Sequence, residues 1–158
     1  MAKNKEEKTN VMRVLEQKKI AYTAHTYPHE EGMAVDGVTV AKSMGFDPAI
    51  VFKTLVARGA SKQYYVFDVP VAENLDLKKA AKAVGEKSIE MIHQKELLPL
   101  TGYVHGGCSP VGMKKEFPTY IDETAMLFDA IAVSGGMRGV QLIVNPVSYT
   151  HLTLPTIR

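Results

Sequence analysis

The sequence predicts a mixed α/β domain built on one twisted mixed sheet, and three observations predict it. Helical and strand-like periodicities alternate along the chain, short strand-like runs gather late in it, and no repeat or low-complexity linker divides it. At 158 residues the chain has room for a single compact domain of enzyme size.

Taken in order, residues 1–8 form a charged leader, expected to be disordered. Thr9 or Asn10 can cap a helix whose apolar face is Val11, Val14 and Leu15, with Lys18 and Lys19 in its last turn. Ile20–Tyr27 is rich in strand formers, and Pro28, the acidic residues after it and Gly32 end it in a loop. Val40, Ala41 and Met44 return to helical spacing before Gly45, and Asp47-Pro48 opens a turn. Val51–Ala57 and Gln63–Val69 read as a hairpin across Gly59–Lys62. Asp76 caps an amphipathic helix that carries Leu77, Ala80, Ala81 and Val84 and closes at Gly85. A strand at 88–91 and a helix at 93–98, stopped by Pro99, follow. Further strands are expected at 119–121, 130–133 and 139–144. Beyond Asn145-Pro146, residues 147–158 have neither helical spacing nor clean alternation and read as a non-native tail to be left out of the fold.

Composition narrows the function without choosing it. Apolar residues make up 46% and charged residues 23%, ordinary for a globular domain. No run reaches membrane-spanning length and the start lacks a secretory signal, so the expected location is cytoplasmic. A net charge of +2 does not by itself argue for a large nucleic-acid footprint, so such a partner would have to be gripped locally. Cys108, the lone cysteine, excludes an intrachain disulfide and multi-cysteine metal sites.

Lys53 is the most informative residue, because it interrupts an otherwise apolar strand. A buried lysine needs a cleft, a carboxylate or an anionic ligand; on an edge strand it could instead snorkel to solvent. Thr101–Gly112 has four glycines in twelve residues, a loop whose backbone N–H groups can approach a phosphate or an oxyanion. It is not a P-loop, since Met113 stands where the lysine must be. Ser134-Gly135-Gly136 could offer a hydroxyl and Arg138 a charge, but no G-x-S-x-G elbow surrounds Ser134, and a hairpin is the plainer reading. His25 and His29 are split by Pro28, and His105 with Cys108 lacks two further ligands, so no metal is expected. Cys108 reads as a buried thiol rather than a nucleophile, Asp122-Glu123 as a turn or cap, and Lys114-Lys115 as solvated surface or a phosphate contact.

Lys53-Thr54, Leu75–Lys79, Thr101-Gly102-Tyr103, Gly106–Gly112, Pro118-Thr119, Ile121-Asp122 and Ser134–Gly136 occur in this order. The ordered set closely resembles the YbaK/EbsC family of free-standing aminoacyl-tRNA deacylases, related to the editing domain inserted in bacterial prolyl-tRNA synthetase. The resemblance covers residues 9–146 and implies a single domain with a strongly curved, partly barrel-like mixed sheet flanked by helices. It implies removal of a mischarged amino acid, typically cysteine, from tRNA(Pro), without a cofactor. By the same resemblance Lys53, Gly106, Gly107 and Ser134 are the catalytic set, with Lys53 meeting the acceptor end of the tRNA. Tyr27, Thr54, Tyr103, Gly135 and Gly136 are the substrate-binding set, and prolyl-tRNA synthetase is a possible partner. Attack by the substrate's own thiol would explain the missing triad, a lyase-type release in which positioning and oxyanion stabilisation suffice. Some members carry an acidic residue where this chain has Gln141, so no acid or base role passes to it. The rival readings are a non-catalytic binder of the acceptor end or of the synthetase, and a general ester hydrolase.

Overall fold

The computed structural model describes residues 8–27 and 36–150, together with the backbone of 156–157. The leader up to residue 7, His29 and the loop expected after Pro28 lie outside the described residues.

The opening helix α1 (Asn10–Gln17) starts where Thr9 Oγ1 accepts the Met12 N–H at 3.2 Å, a cap worth about 1 kcal/mol. It buries Val11, Met12 and Leu15 and ends as Lys19 takes φ +60°. Strand β1 (Tyr22–Thr26) leads to α2 (Gly37–Ser43), capped by Asp36, whose Oδ2 accepts the Thr39 N–H at 3.1 Å. A short 3-10 turn at Pro48–Ile50 precedes the hairpin of β2 (Phe52–Gly59) and β3 (Tyr64–Pro70). Helix α3 (Leu77–Val84) is capped by Asp76 and stopped by Gly85 in the left-handed region, as its sequence dictates. Then come β4 (Ile89–Met91), α4 (Gln94–Thr101), β5 (Thr119–Asp122), β6 (Ile131–Ser134), β7 (Val140–Val144), α5 (Pro146–Thr150) and β8 (Thr156–Ile157). Asp122 caps the 3-10 turn Glu123–Leu127 through the Thr124 N–H at 2.9 Å, the role expected of that acidic pair.

The strands form two sheets rather than one continuous sheet. The first is antiparallel, in the order β1-β7-β6. The second is mixed, in the order β4-β2-β3-β5-β8, with β3–β5 and β5–β8 parallel. Among the described residues they join at one isolated parallel bridge, Val51 to Ala132, and do not close into a barrel. Pro48 opens the 3-10 turn that precedes β2, and Val51, the extended residue at its end, makes that bridge. The main core lies between the sheets and α1: Val11, Leu15, Phe52, Val56, Val66, Ile121, Ile131, Val133 and Leu142. A second apolar cluster binds α3, through Ala80 and Ala81, to Tyr65, Phe67, Val69 and Ile89 of the mixed sheet.

Two further expectations fail. Helix α4 does not stop at Pro99 but runs to Thr101. A proline so near the C-terminus removes one amide donor, and the end is secured by Thr101 Oγ1 on the Leu97 carbonyl at 2.8 Å and by Gly102 at φ +88°. The segment from 147 onward is not wholly outside the fold either. Residues 147–150 belong to α5, where Asn145 Oδ1 accepts the Ser148 N–H and Tyr149 is buried in the main core. Among the described residues, no helix is long and apolar enough to cross a membrane.

Candidate active site

The seam between the sheets opens into a cleft of about 410 Å³. Its walls come from the first residues of β2, from Asp36, Gly37 and Val40 of α2 and its cap, from Tyr27 after β1, from the glycine loop at His105, Gly106 and Cys108, and from Ser134 and Gln141 at the paired ends of β6 and β7. A volume of this order is ordinary for a small-molecule site. A second hollow of about 380 Å³ lies between α1 and the 110–119 loop; none of the catalytic or substrate-binding candidates lines it.

Lys53 lies near the start of β2, where β3 is its paired neighbour, opposite Val69, while β4 joins β2 only at Ala57–Gly59, and Lys53 lines the cleft. It is half-buried, and its Nζ donates to the Val71 carbonyl at 3.3 Å. Among the described residues no carboxylate comes within ion-pairing distance of it. Burial lowers the pKa of the ammonium, while Asp36 and Glu73 oppose that shift. The result is a cation in the cleft wall whose charge is held by nearby acids but bound by none of them.

Thr54, the next residue on β2, also lines the cleft and donates its hydroxyl to Asp68 Oδ1 at 2.6 Å. Ser134 lines the cleft from β6, and its Oγ accepts the Gly136 N–H at 3.1 Å. Tyr27 is buried at the cleft, with its N–H on the Gly139 carbonyl at 2.9 Å. Gly106 takes φ +90°, a conformation only glycine holds without strain, and its N–H meets no acceptor among the described residues. The cleft thus brings together Lys53, Thr54, Ser134, Tyr27 and Gly106 from separate parts of the chain.

Four candidates do not line it. The amides of Gly107, Gly135 and Gly136, expected to cradle the ester, are engaged internally: Gly107 N–H on Val104 O at 2.9 Å, Gly135 N–H on Val140 O at 2.9 Å, and Gly136 N–H on Ser134 Oγ. Gly107 instead lets two loops pass, since a Cβ there would lie 2.9 Å from backbone atoms of Met137 and Arg138. Arg138 locks the same crossing by donating Nε–H to the His105 carbonyl at 2.7 Å. Tyr103 is buried in the main core and ties the glycine loop down by donating its hydroxyl to the Val111 carbonyl. These residues shape the walls from behind.

Sequence reasoning weighed His105 only as a metal ligand and passed over Asp36 and, above all, Asp68. Asp68 is 1% exposed inside an apolar strand, the same pattern that singled out Lys53, and burial raises its carboxyl to about 7 against the lowering effect of the Thr54 hydrogen bond. Gln141 is buried in the cleft wall with Oε1 unpartnered among the described residues; an amide has no acid or base to offer. Cys108 touches the cleft, but burial, followed by the charge of Asp68, pushes its thiol up to about 12, which leaves it inert as a nucleophile at neutral pH.

Residues 29–152 match the family model of the aminoacyl-tRNA editing domain. Over 154 residues the chain is 46% identical to an Enterococcus faecalis protein provisionally named Cys-tRNA(Pro)/Cys-tRNA(Cys) deacylase EbsC, an alignment that covers 97% of this chain and 93% of that one. YwhH of Bacillus subtilis is 26% identical over 117 residues, covering 74% of each. Among solved structures, a provisionally assigned trans-editing enzyme for prolyl tRNA synthetase superposes with a TM-score of 0.77 at 24% identity, covering 94% of this chain and 92% of that one. Hypothetical protein APE2540 does so with 0.82 at 17% identity, covering 94% and 97%. At those identities the superpositions speak for the fold. The family match and the close relative speak for descent: the chain belongs to the aminoacyl-tRNA editing domain family.

Proposed function

We propose that this protein is a free-standing deacylase that clears mischarged tRNA(Pro), cysteinyl-tRNA(Pro) before others, in the compartment where tRNA is charged. The observation that carries the reading is Lys53, a half-buried cation without an ion-pair partner among the described residues, in the wall of a cleft of about 410 Å³. Lys53 meets the phosphate or ribose of the terminal adenosine, and the amino acid enters between the sheets. The ester bond is already activated, so a barrier of moderate height falls to orientation and charge stabilisation.

In this reading the Gly106 N–H faces the oxyanion and Ser134 holds the ribose side of the ester. The substrate's sulfur attacks the carbonyl carbon, the bond from that carbon to the ribose oxygen breaks, and the ribose oxygen leaves with the thiol proton. A cyclic thiolactone and free tRNA result. This route asks for no protein nucleophile, in keeping with the inert Cys108. The name of the Enterococcus faecalis relative supports cysteinyl substrates, and the small net charge of +2 suits a protein that grips only the acceptor end while a synthetase supplies the rest of the tRNA contact.

The test is deacylation of cysteinyl-, alanyl- and prolyl-tRNA(Pro) by the wild type and by Lys53→Ala. Turnover of cysteinyl-tRNA(Pro) that is lost in the variant is the expected result. Binding without turnover of any charged tRNA would leave only the acceptor-end binder. Equal rates on cysteinyl- and seryl-tRNA(Pro) would overturn attack by the substrate thiol.

A further inference from the structure

Asp68 is a buried acid that the reaction scheme leaves unused. It stands on β3 directly opposite Thr54 of β2, is 1% exposed, and gives one oxygen to the Thr54 hydroxyl at 2.6 Å while the other has no partner among the described residues. The groups facing it are Thr54 from β2, Ile121 from β5, the Cys108 thiol from the glycine loop and the Tyr149 phenol from α5. Cys108 and Tyr149 are both pushed up by burial and are neutral near pH 7, so among the described residues no charge other than its own sits in that cluster.

A hydroxyl has one proton and two lone pairs. With Asp68 ionised, the Thr54 proton is committed to the carboxylate, and only lone pairs remain for the cleft that Thr54 lines. With Asp68 protonated, the carboxyl can donate to Thr54 Oγ1 and release the hydroxyl proton toward the cleft. The same wall then changes from acceptor to donor without any atom moving far.

We propose that Asp68 is a positioning residue that acts through Thr54 to set the hydrogen-bonding polarity of the cleft wall, so that the ionised pair recognises a donor on the aminoacyl group, its α-ammonium or its side-chain S–H. This rests on the deacylase reading and adds the wall on which the amino acid is read. Because burial raises Asp68 to about 7, both states are populated near neutrality, and recognition strengthens as pH rises through that value.

The experiment uses a cysteinyl group joined to the 3′ position of adenosine through an amide, which binds but is not cleaved as an ester. Binding is measured at about pH 6 and pH 8 for the wild type, Asp68→Asn, Thr54→Ser and Thr54→Val, with thermal melting as the folding control. The wild type should bind about tenfold more tightly at the higher pH than at the lower, relative to Asp68→Asn, the size expected for one buried hydrogen bond made or lost. Thr54→Ser should keep that dependence and Thr54→Val should lose it. An analogue without the amine that loses the dependence assigns the donor to the α-ammonium; an alanyl analogue that loses it assigns the donor to the thiol. An Asp68→Asn protein with the wild-type pH dependence, or a Thr54→Val protein that binds like the wild type, overturns the proposal. So does a carbon-13 titration of the Asp68 carboxyl showing it ionised throughout that range, a readout independent of any ligand. Failure of the deacylase reading is distinct: Asp68 titrates as expected, but the wild type neither binds the analogue nor cleaves charged tRNA, and the recognition role falls with the reading.

Discussion

Replacing Asp68 by asparagine should make stability less sensitive to pH, and by a predictable amount. Burial lifts the carboxyl from 3.8 to about 7 in the folded state. The folded protein therefore holds a proton that the unfolded chain releases between those values, and folding loses stability as pH rises through the window. Each unit is worth about 1.4 kcal/mol, so the whole interval costs about 4 kcal/mol, of which about 2 to 3 falls between pH 5 and pH 8. Against a typical total of about 5–15 kcal/mol that is a large fraction. Asparagine keeps the shape and can accept from Thr54, yet carries no proton to lose. The assay is chemical denaturation of both proteins at several pH values across that range, with the quantity of interest the difference between them. The Asp68→Asn variant should gain on the wild type steadily up to about pH 7 and then hold its lead. A difference that stays flat would refute the reasoning, for it would mean that the buried carboxyl does not hold its proton in the native state.

Other perturbations test other links. Lys53→Ala should reduce deacylation by about a hundredfold or more, as loss of a charge that positions the acceptor end does, while leaving the melting temperature nearly unchanged; a parallel loss of both would make Lys53 a packing residue. Gly107→Ala places a Cβ 2.9 Å from backbone that cannot swing aside, and should destabilise by about 1–3 kcal/mol in denaturant melts; a neutral result would show that the loop crossing is loose. With its thiol near 12, Cys108 in the native protein should react with iodoacetamide about a thousandfold more slowly at about pH 8 than the unfolded chain does; rapid native labelling would disprove its burial.

Elements whose signals are local were readable in the sequence. Thr9 and Asp76 announce helix starts because a side-chain oxygen there meets amides two or three residues on, and Gly85 announces a stop because it alone takes the left-handed conformation cheaply. Lys53 was legible for a similar reason: a charge in an apolar strand demands an explanation. Asp68 carries the same signal, but its partner Thr54 lies 14 residues away across a hairpin, and only the register shows that they meet. The roles of the glycines were less legible, since glycine marks both a backbone that must approach a ligand and a backbone that must pass another. Gly106 lines the cleft and Gly107 fills a crossing, although they are neighbours. The division of the strands into two sheets depends on how far two distant segments run side by side, which no local pattern encodes.

That division has a consequence for how selectivity is set. The cleft's opposite walls are anchored in separately hydrogen-bonded sheets joined, among the described residues, by one isolated bridge at Val51 and Ala132, so its width follows the spacing of two bodies as well as the side chains that line it. The wedge between them is the core, where Val56, Val133 and Leu142 pack without lining the cleft. One methylene added to or removed from that wedge changes the gauge of the cleft while every residue facing the substrate stays the same. On the deacylase reading proposed above, repacking that interior would alter which amino acid the cleft accepts without a change in its lining.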